Sequence, residues 1–159
     1  MKILIKNGRL VDPASGLDQV GDLAITASRI TALGNVSADF EPDRVIDATG
    51  LIVAPGLVDL AVRLREPGHE HEGMLESELA AAAAGGVTSV VCLPDTDPTL
   101  DEPGLVEMLK LRARKLSRCR LFPLGALTRG LTGENLTEMA ALHEAGRVGY
   151  SQAEPPTRD

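Results

Sequence analysis

The stretch MLESELAAAAAGGVTSVVCL, residues 74–93, decides the fold class. Residues 74–84 predict a helix, because alanine loses no side-chain entropy when it enters a helix. Gly85 and Gly86 predict the end of that helix. The β-branched run that follows, residues 87–93, predicts a buried strand. An apolar strand next to a helix is typical of the repeating unit of a parallel α/β sheet.

The same alternation continues along the chain on both sides of this stretch. Apolar strands are predicted to start near residues 57, 87, 121 and 148, with further helices over 103–116 and 134–145. Right-handed crossovers allow either a doubly wound sheet or a growing (β/α)8 barrel. Four strands cannot close an eight-stranded barrel, which takes about 250 residues. We therefore expect either a fragment of a longer protein or a sheet edge that another chain covers.

The first part of the chain has a different pattern. Residues 22–26 (DLAIT) and 29–33 (RITAL) flank Ala27-Ser28, which predicts a hairpin, and Asn7-Gly8 predicts a further turn. Short strands with tight turns are typical of a small sandwich or open barrel. We predict two domains: a small all-β, sandwich-like domain over 1–54, and the first βα units of an incomplete barrel over 55–159.

Composition excludes several classes of function. The net charge is −7, which disfavours nucleic acid as a partner because phosphate binding needs a basic surface. No strand is followed by a glycine-rich phosphate-binding motif, and no segment is long and apolar enough for a signal peptide or a membrane span. Cys92 and Cys119 predict reduced thiols. The sequence is typical of a cytoplasmic protein.

Three long segments carry a family resemblance. Residues 54–71 (APGLVDLAVRLREPGHEH), 81–103 (AAAAGGVTSVVCLPDTDPTLDEP) and 121–151 (LFPLGALTRGLTGENLTEMAALHEAGRVGYS) resemble dihydroorotases of the amidohydrolase superfamily. The resemblance implies a (β/α)8 barrel with a small β domain built partly from the N-terminus. It also implies the interconversion of carbamoyl aspartate and dihydroorotate in pyrimidine synthesis.

The resemblance breaks down at the metal site. The family carries a D-x-H-x-H-x-R motif at the end of its first barrel strand, and its two histidines hold a divalent cation because alternate strand residues point the same way. Here those two positions are Ala61 and Arg63. Alanine has no ligand atom, and arginine stays protonated and repels a cation. We therefore expect neither a metal nor any other cofactor at this position.

Other family positions also differ. The two aspartates that follow the fourth strand are Gln152 and Ala153, and the first asparagine of a P-N-T-N-P segment is Asp95. Arg65 matches the family's substrate-binding arginine. The resemblance thus implies a vestigial substrate site at Arg65 and Asp95, with no catalytic residue.

Two further groups of side chains remain open to interpretation. His69 and His71 are interpreted as solvated loop histidines, with a substitute metal site as the alternative. Asp59 is in register with Arg63, and an interior ion pair between them is a candidate replacement for the metal cluster.

Thr128 follows a predicted strand, and we interpret it as an ordinary strand-end residue, with a position at the barrel mouth as the alternative. The basic run over 112–120 (RARKLSRCR) is interpreted as a helix C-terminus that favours cations, with a patch for an anionic partner as the alternative.

Three functional hypotheses follow. In the first, the protein is a non-catalytic dihydroorotase-like subunit that assembles with aspartate carbamoyltransferase, as the resemblance implies, or with itself. In the second, it is an active, zinc-dependent cyclic amidohydrolase (a dihydroorotase, hydantoinase or allantoinase) with ligands supplied beyond residue 159. In the third, it is a truncated piece with no separate function.

Overall fold

The computed structural model describes residues 1–157. It divides the chain into two units, Met1–Pro55 and a second unit that starts at Gly56. In the described residues, no helix has the length and apolar character that a membrane crossing requires.

The first unit is built from five strands: β1 (Lys2–Asp12), β2 (Leu17–Thr26), β3 (Arg29–Gly34), β4 (Arg44–Asp47) and β5 (Ile52–Val53). They form one sheet of order β3-β2-β1-β4, and β5 also pairs with β1. In residues 1–55 the strands form one sheet and not the two packed sheets of a sandwich, because β4 and β5 both pair in parallel with β1, at residues 3–6 and 9–10. An open barrel is itself a single sheet, so that alternative stays a prediction.

The predicted turn at Asn7-Gly8 is wrong, because β1 runs through it. Ile5 pairs with Leu23 and Gly8 pairs with Gly21, so β1 uses one more residue than β2 over this interval. Asn7 has φ +61° and its backbone N–H donates to Asp22 Oδ1 at 2.9 Å. The feature is a β-bulge, in which asparagine tolerates the left-handed conformation.

The hairpin predicted at Ala27-Ser28 is confirmed. Both residues have positive φ, +48° and +62°, and they join β2 to β3. Two left-handed residues give a turn whose twist matches that of the strands on either side.

The second unit alternates strands and helices. Its elements are β6 (Leu57–Val62), α1 (Leu75–Ala84), β7 (Val87–Cys92), α2 (Pro103–Leu116), β8 (Arg120–Ala126), a short 3-10 helix (Arg129–Leu131), α3 (Met139–Glu144) and β9 (Gly149–Ser151). The strands form a parallel sheet of order β6-β7-β8-β9. The second unit is therefore a mixed α/β fold with a parallel half-barrel sheet.

The core of this unit lies between the sheet and its helices. Helix α1 packs against β7 and α2 packs against β8, and all three helices contribute to one buried cluster. Its fully buried members include Leu79, Val90, Cys92, Val106, Leu109 and Leu142. Burial of aliphatic surface is the main favourable contribution to this packing.

The third helix is shorter than predicted. The pattern predicted residues 134–145, whereas α3 covers Met139–Glu144. The preceding segment instead folds against β8: Thr137 donates its hydroxyl to the carbonyl of Ala126 at 2.8 Å and its N–H to Leu127 at 3.2 Å. These bonds to the end of a strand compete with helix formation, as threonine hydroxyls commonly do.

Strand β6 lies at one end of the sheet and carries exposed apolar side chains. Leu57, Val58 and Leu60 are 61%, 58% and 71% exposed. An edge strand with apolar side chains is a surface on which further protein can pack.

A buried carboxylate connects the loop after β6 to two helices. Glu66 is 2% exposed, and its Oε2 accepts the backbone N–H of Leu75, the first residue of α1, at 2.7 Å. Its Oε1 forms an ion pair with the guanidinium of Arg112 on α2. The first N–H groups of a helix have no partner within the helix and favour negative charge, so Glu66 caps α1.

We expect Glu66→Ala to lower the free energy of unfolding by about 2–3 kcal/mol, because it removes a charged acceptor from the start of α1 and the partner of Arg112. Glu66→Gln should cost less, because the amide oxygen still accepts from Leu75. Urea denaturation of the variants measures both effects. The control is Glu107→Ala, an exposed position on α2. Equal losses for Glu66→Ala and Glu107→Ala would contradict the capping role.

Candidate functional site

The polar side chains of interest follow the carboxyl ends of the parallel strands. Strands β6, β7 and β9 end at Val62, Cys92 and Ser151. The carboxyl ends of parallel strands meet at one edge of a sheet, where barrel enzymes place their chemistry. We call the residues that follow these strand ends the mouth; the ones that matter below are Arg63, Asp95, Gln152 and Glu154. Their side chains decide whether the site can act as a hydrolase.

Arg63 is the central residue of the mouth. Its Nε donates to Asp95 Oδ2 at 2.6 Å, and its Nη2 donates to Glu154 Oε1 at 2.6 Å. Asp95 follows β7 and Glu154 follows β9, so one guanidinium joins segments 32 and 91 residues away along the chain. The two partners raise the pKa of Arg63 above its usual value, chiefly through the hydrogen bond to Asp95.

The two acidic partners differ in their exposure to solvent. The side chains of Arg63 and Asp95 are 35% and 25% exposed, whereas that of Glu154 is 81% exposed. Water screens the contact with Glu154 more strongly. The Arg63–Asp95 bond is therefore the stronger half of this ion-pair cluster.

The predicted ion pair between Asp59 and Arg63 does not form. Asp59 is exposed, and its Oδ1 accepts the backbone N–H of Ala61 at 3.0 Å. The pairing of β6 with β7 is irregular between Asp59 and Val62, so the alternation assumed for these positions is interrupted. Arg63 finds its carboxylates on other strands instead.

The side chains at the family's metal positions do not fit a divalent cation. The side chain of Ala61 offers no lone pair, and Arg63 places a fixed positive charge beside the carboxylates of Asp95 and Glu154. Within residues 1–157, no three His, Cys, Asp or Glu side chains come together in a way that could hold a metal ion.

Gln152 stands where the family resemblance places an aspartate, and both ends of its amide are hydrogen-bonded. Its Oε1 accepts the hydroxyl of Thr128 at 2.8 Å, and its Nε2 donates to the carbonyl of Leu131 at 3.0 Å. Thr128 is 3% exposed and also accepts the N–H of Gly133 at 2.9 Å. These bonds hold the loop after β8 to the loop after β9, as the strand-end interpretation of Thr128 anticipates.

Arg65 and Asp95, predicted as a vestigial substrate pair, have different partners. Arg65 Nε lies 3.1 Å from Glu72 Oε2, whereas Asp95 binds Arg63. Arg65 has φ +63°, a left-handed conformation that is uncommon outside glycine. The side chain of Arg65 is 41% exposed, and its guanidinium is already partly neutralised.

His69 and His71 lie in the loop between β6 and α1. Their ring centroids are 6.1 Å apart, and His71 Nε2 is 3.7 Å from Glu72 Oε1. The His69 N–H donates to the carbonyl of Arg65 at 2.7 Å, and the neighbouring Pro67 carbonyl accepts from Asp97 at 3.1 Å. The loop is thus anchored by backbone bonds, and the two imidazoles do not converge with other ligands.

Two residues that matter here were not found by reading the sequence. Glu154 follows β9 closely. The one feature of the sequence that could have predicted its contact with Arg63 is that parallel strands end at the same edge of a sheet. Glu66 is charged and next to a proline, so nothing in the local pattern indicated that it would be 2% exposed.

Comparison with known families and proteins agrees with this geometry. The profile of a family described as Dihydro-orotase-like matches residues 50–154. A dihydroorotase-like protein of Pseudomonas aeruginosa is 50% identical over 151 residues, which cover 95% of this chain and 36% of that protein. A dihydroorotase of Solibacter usitatus is 45% identical over 152 residues, which cover 95% of this chain and 35% of that protein. The chain thus spans about a third of the length of these curated relatives.

Solved structures give the same picture. An L-hydantoinase (dihydropyrimidinase) from Arthrobacter aurescens matches with a TM-score of 0.80 and 27% identity, over 93% of this chain and 32% of that one. A dihydroorotase matches with a TM-score of 0.59 and 19% identity, over 94% of this chain and 41% of that one, which shows a shared fold alone.

We expect a double-mutant cycle to show stronger coupling of Arg63 to Asp95 than to Glu154, because the contact with Glu154 is more exposed to water. The variants are Arg63→Met, Asp95→Asn and Glu154→Gln, alone and in pairs, and the measurement is the free energy of unfolding in urea. High salt should reduce the Glu154 coupling first. Zero coupling to Asp95 at low salt would show that the ion pair does not form in solution.

Proposed function

The chain belongs to the dihydroorotase-like family of amidohydrolases, and from that premise we propose that it is a non-catalytic member of the family in pyrimidine metabolism. In this proposal the protein is a structural subunit that assembles with aspartate carbamoyltransferase. The resemblance of the sequence to non-catalytic dihydroorotase-like proteins suggests the role, and the chemistry of the mouth supports it.

The observation that carries the proposal is the position of Arg63. Hydrolysis of a cyclic amide at a metal centre requires a cation that lowers the pKa of water and polarises the carbonyl. Here a guanidinium occupies a ligand position, and it cannot give up its proton to act as a base. Its two carboxylate partners are committed to ion pairs at 2.6 Å. None of these side chains activates water.

The remaining predicted site residues suit a structural role. In this proposal Arg65 and Asp95 are remnants of a substrate site, tied to Glu72 and Arg63. Gln152 binds the loop after β8 through its amide. A fold that keeps its packing while its site is filled with internal bonds remains a usable scaffold, since fold alone does not fix function.

An accessible apolar surface favours association of this part of the chain with further protein. Leu57, Val58 and Leu60 are exposed on the edge strand β6. An apolar strand edge favours association, whether with the rest of a longer chain, with a second copy or with another protein. Aspartate carbamoyltransferase is the partner that the family resemblance implies.

The second candidate function is an active cyclic amidohydrolase. The 45% identity with a protein named dihydroorotase favours it, as does the retained Arg65. Because the chain spans 36% of its relative from Pseudomonas aeruginosa, replacement ligands would have to come from elsewhere in such a protein.

Metal content and turnover separate the two functions. We expect the full-length protein to contain well under one equivalent of zinc after purification in zinc-supplemented medium, and no dihydroorotase activity above background, because position 63 carries a cation. Elemental analysis and a dihydroorotate assay measure this, with an active dihydroorotase purified in parallel as the control. One equivalent of zinc together with turnover would overturn the proposal.

We expect Ala61→His with Arg63→His to leave turnover at background, because Gln152 and Ala153 still stand at the family's aspartate positions. The same assay tests the double variant, and circular dichroism checks its fold. Measurable turnover from the double variant would show that the rest of the site is intact and that the loss of function lies in these two residues alone.

The partner is tested by co-expression with aspartate carbamoyltransferase from the same organism. We expect the two proteins to elute as one complex from a size-exclusion column, and Leu60→Lys on the exposed edge of β6 to weaken it. The matched control is Val20→Lys, an exposed apolar position in the first unit. A homo-oligomer that excludes the carbamoyltransferase would favour self-association and contradict the proposed partner.

A further inference from the structure

A second polar region lies at the amino ends of the strands, opposite the mouth. A cavity of about 670 Å³ is bounded by the start of β7 at Thr88, the start of β8 at Arg120 and the residues before β9, including Gly146. None of the mouth residues lines it. Its volume is in the range of small-molecule sites, roughly 300–1,000 Å³.

The cavity is strongly basic. Four cations line it, Lys110, Arg114, Arg118 and Arg120, and no acidic residue does. In residues 1–157, none of the three arginines lies within ion-pair distance of a carboxylate. These four positive charges lie together in a chain whose net charge is −7, and the side chains of the three arginines are exposed.

The helix C-terminus explains only part of this cluster. Helix α2 ends at Leu116, and cations in its last turn, such as Arg114, are favoured by the helix dipole. Arg118 and Arg120 lie beyond that end, and Arg120 is the first residue of β8. The dipole does not account for their position on the same cavity wall.

Lys110 is held in place at the rim of the cavity. Its Nζ donates to the carbonyl of Ala145 at 2.8 Å, and a Cβ on Gly146 would clash with the same nitrogen. One of the three ammonium protons is thus used, and the others remain available to a ligand.

Apolar side chains form part of the rest of the lining, beside Thr88 and Ser117. Ala113, Leu121, Phe122 and Val148 contribute to it. A cavity lined by apolar side chains and by three exposed arginines favours a ligand with an apolar body and several negative charges. Guanidinium groups bind phosphate oxygens in pairs, with better geometry than an ammonium group offers.

We propose that this cavity binds a small phosphorylated molecule, held by Arg114, Arg118 and Arg120 with Lys110 at the rim. A long polyanion is disfavoured, because the rest of this acidic chain repels it. The site shares no residue with the mouth and is independent of the function proposed above.

Cys119 provides a reporter inside the cavity. It lines the cavity, and its thiol donates to the carbonyls of Leu79 at 3.3 Å and Val87 at 3.2 Å. Cys92 is fully buried, and burial raises its pKa to about 12, so it should remain unmodified in the folded protein. Alkylation of Cys119 by iodoacetamide, followed by mass spectrometry, therefore reports on this site.

The experiment titrates pyrophosphate into the full-length protein at fixed ionic strength. We expect calorimetry to detect one binding site and the alkylation of Cys119 to slow down as that site fills. The variant Arg118→Gln with Arg120→Gln should weaken binding by about tenfold for each guanidinium lost. The matched control, Arg29→Gln with Arg44→Gln, removes two exposed arginines of β3 and β4 and should bind as tightly as the unmodified protein.

Three results would overturn the proposal. The first is that millimolar pyrophosphate gives no heat of binding and does not slow the alkylation of Cys119. The second is that the two double variants bind pyrophosphate with equal affinity. The third is that pyrophosphate binds but the alkylation of Cys119 does not slow down. Circular dichroism melts of both variants confirm that a loss of binding is not a loss of fold. None of these results bears on metal content or turnover at the mouth.

Discussion

One guanidinium, that of Arg63, connects three of the four strand ends at the mouth: its own, that of Asp95 and that of Glu154. A parallel sheet delivers polar residues to one edge, and like charges gathered there need an opposite charge between them. Metal-dependent amidohydrolases meet this requirement with a cation that also performs chemistry. Arg63 meets it with a side chain that pairs with Asp95 and Glu154, which is the basis of the non-catalytic role proposed above.

The elements that could be predicted are those fixed by local residues. Helix α2 begins and ends at the predicted residues 103 and 116, because an early proline and the turn after Leu116 bound it on both sides. The Ala27-Ser28 hairpin was also predicted. The start of α3 was not, since Thr137 bonds to the end of β8, which is distant in sequence. The helical pattern of residues 134–145 does not show that one of them bonds to a strand elsewhere in the fold.

The same limit applies to the site. The positions of Ala61 and Arg63 follow from the family motif, and the loss of ligands there could be predicted from residue type alone. The partners of Arg63 could not, because they are 32 and 91 residues away and depend on which strands become neighbours. Alternation within β6 predicted Asp59 as the partner of Arg63. That ion pair does not form, because the pairing of β6 with β7 is irregular between Asp59 and Val62.

The bulge at Asn7 constrains how the first strand can change during evolution. Ile3, Ile5, Gly8 and Leu10 pair with residues 25, 23, 21 and 19 of β2, so all four share one face even though their own numbering changes from odd to even. Loss of the codon for Asn7 would make the strand regular and would leave every later side chain of β1 on its present face, whereas loss of a codon elsewhere in β1 would move the side chains beyond it to the opposite face. A one-residue deletion in β1 should therefore be tolerated best at the bulge, where the strand carries one residue more than its partner.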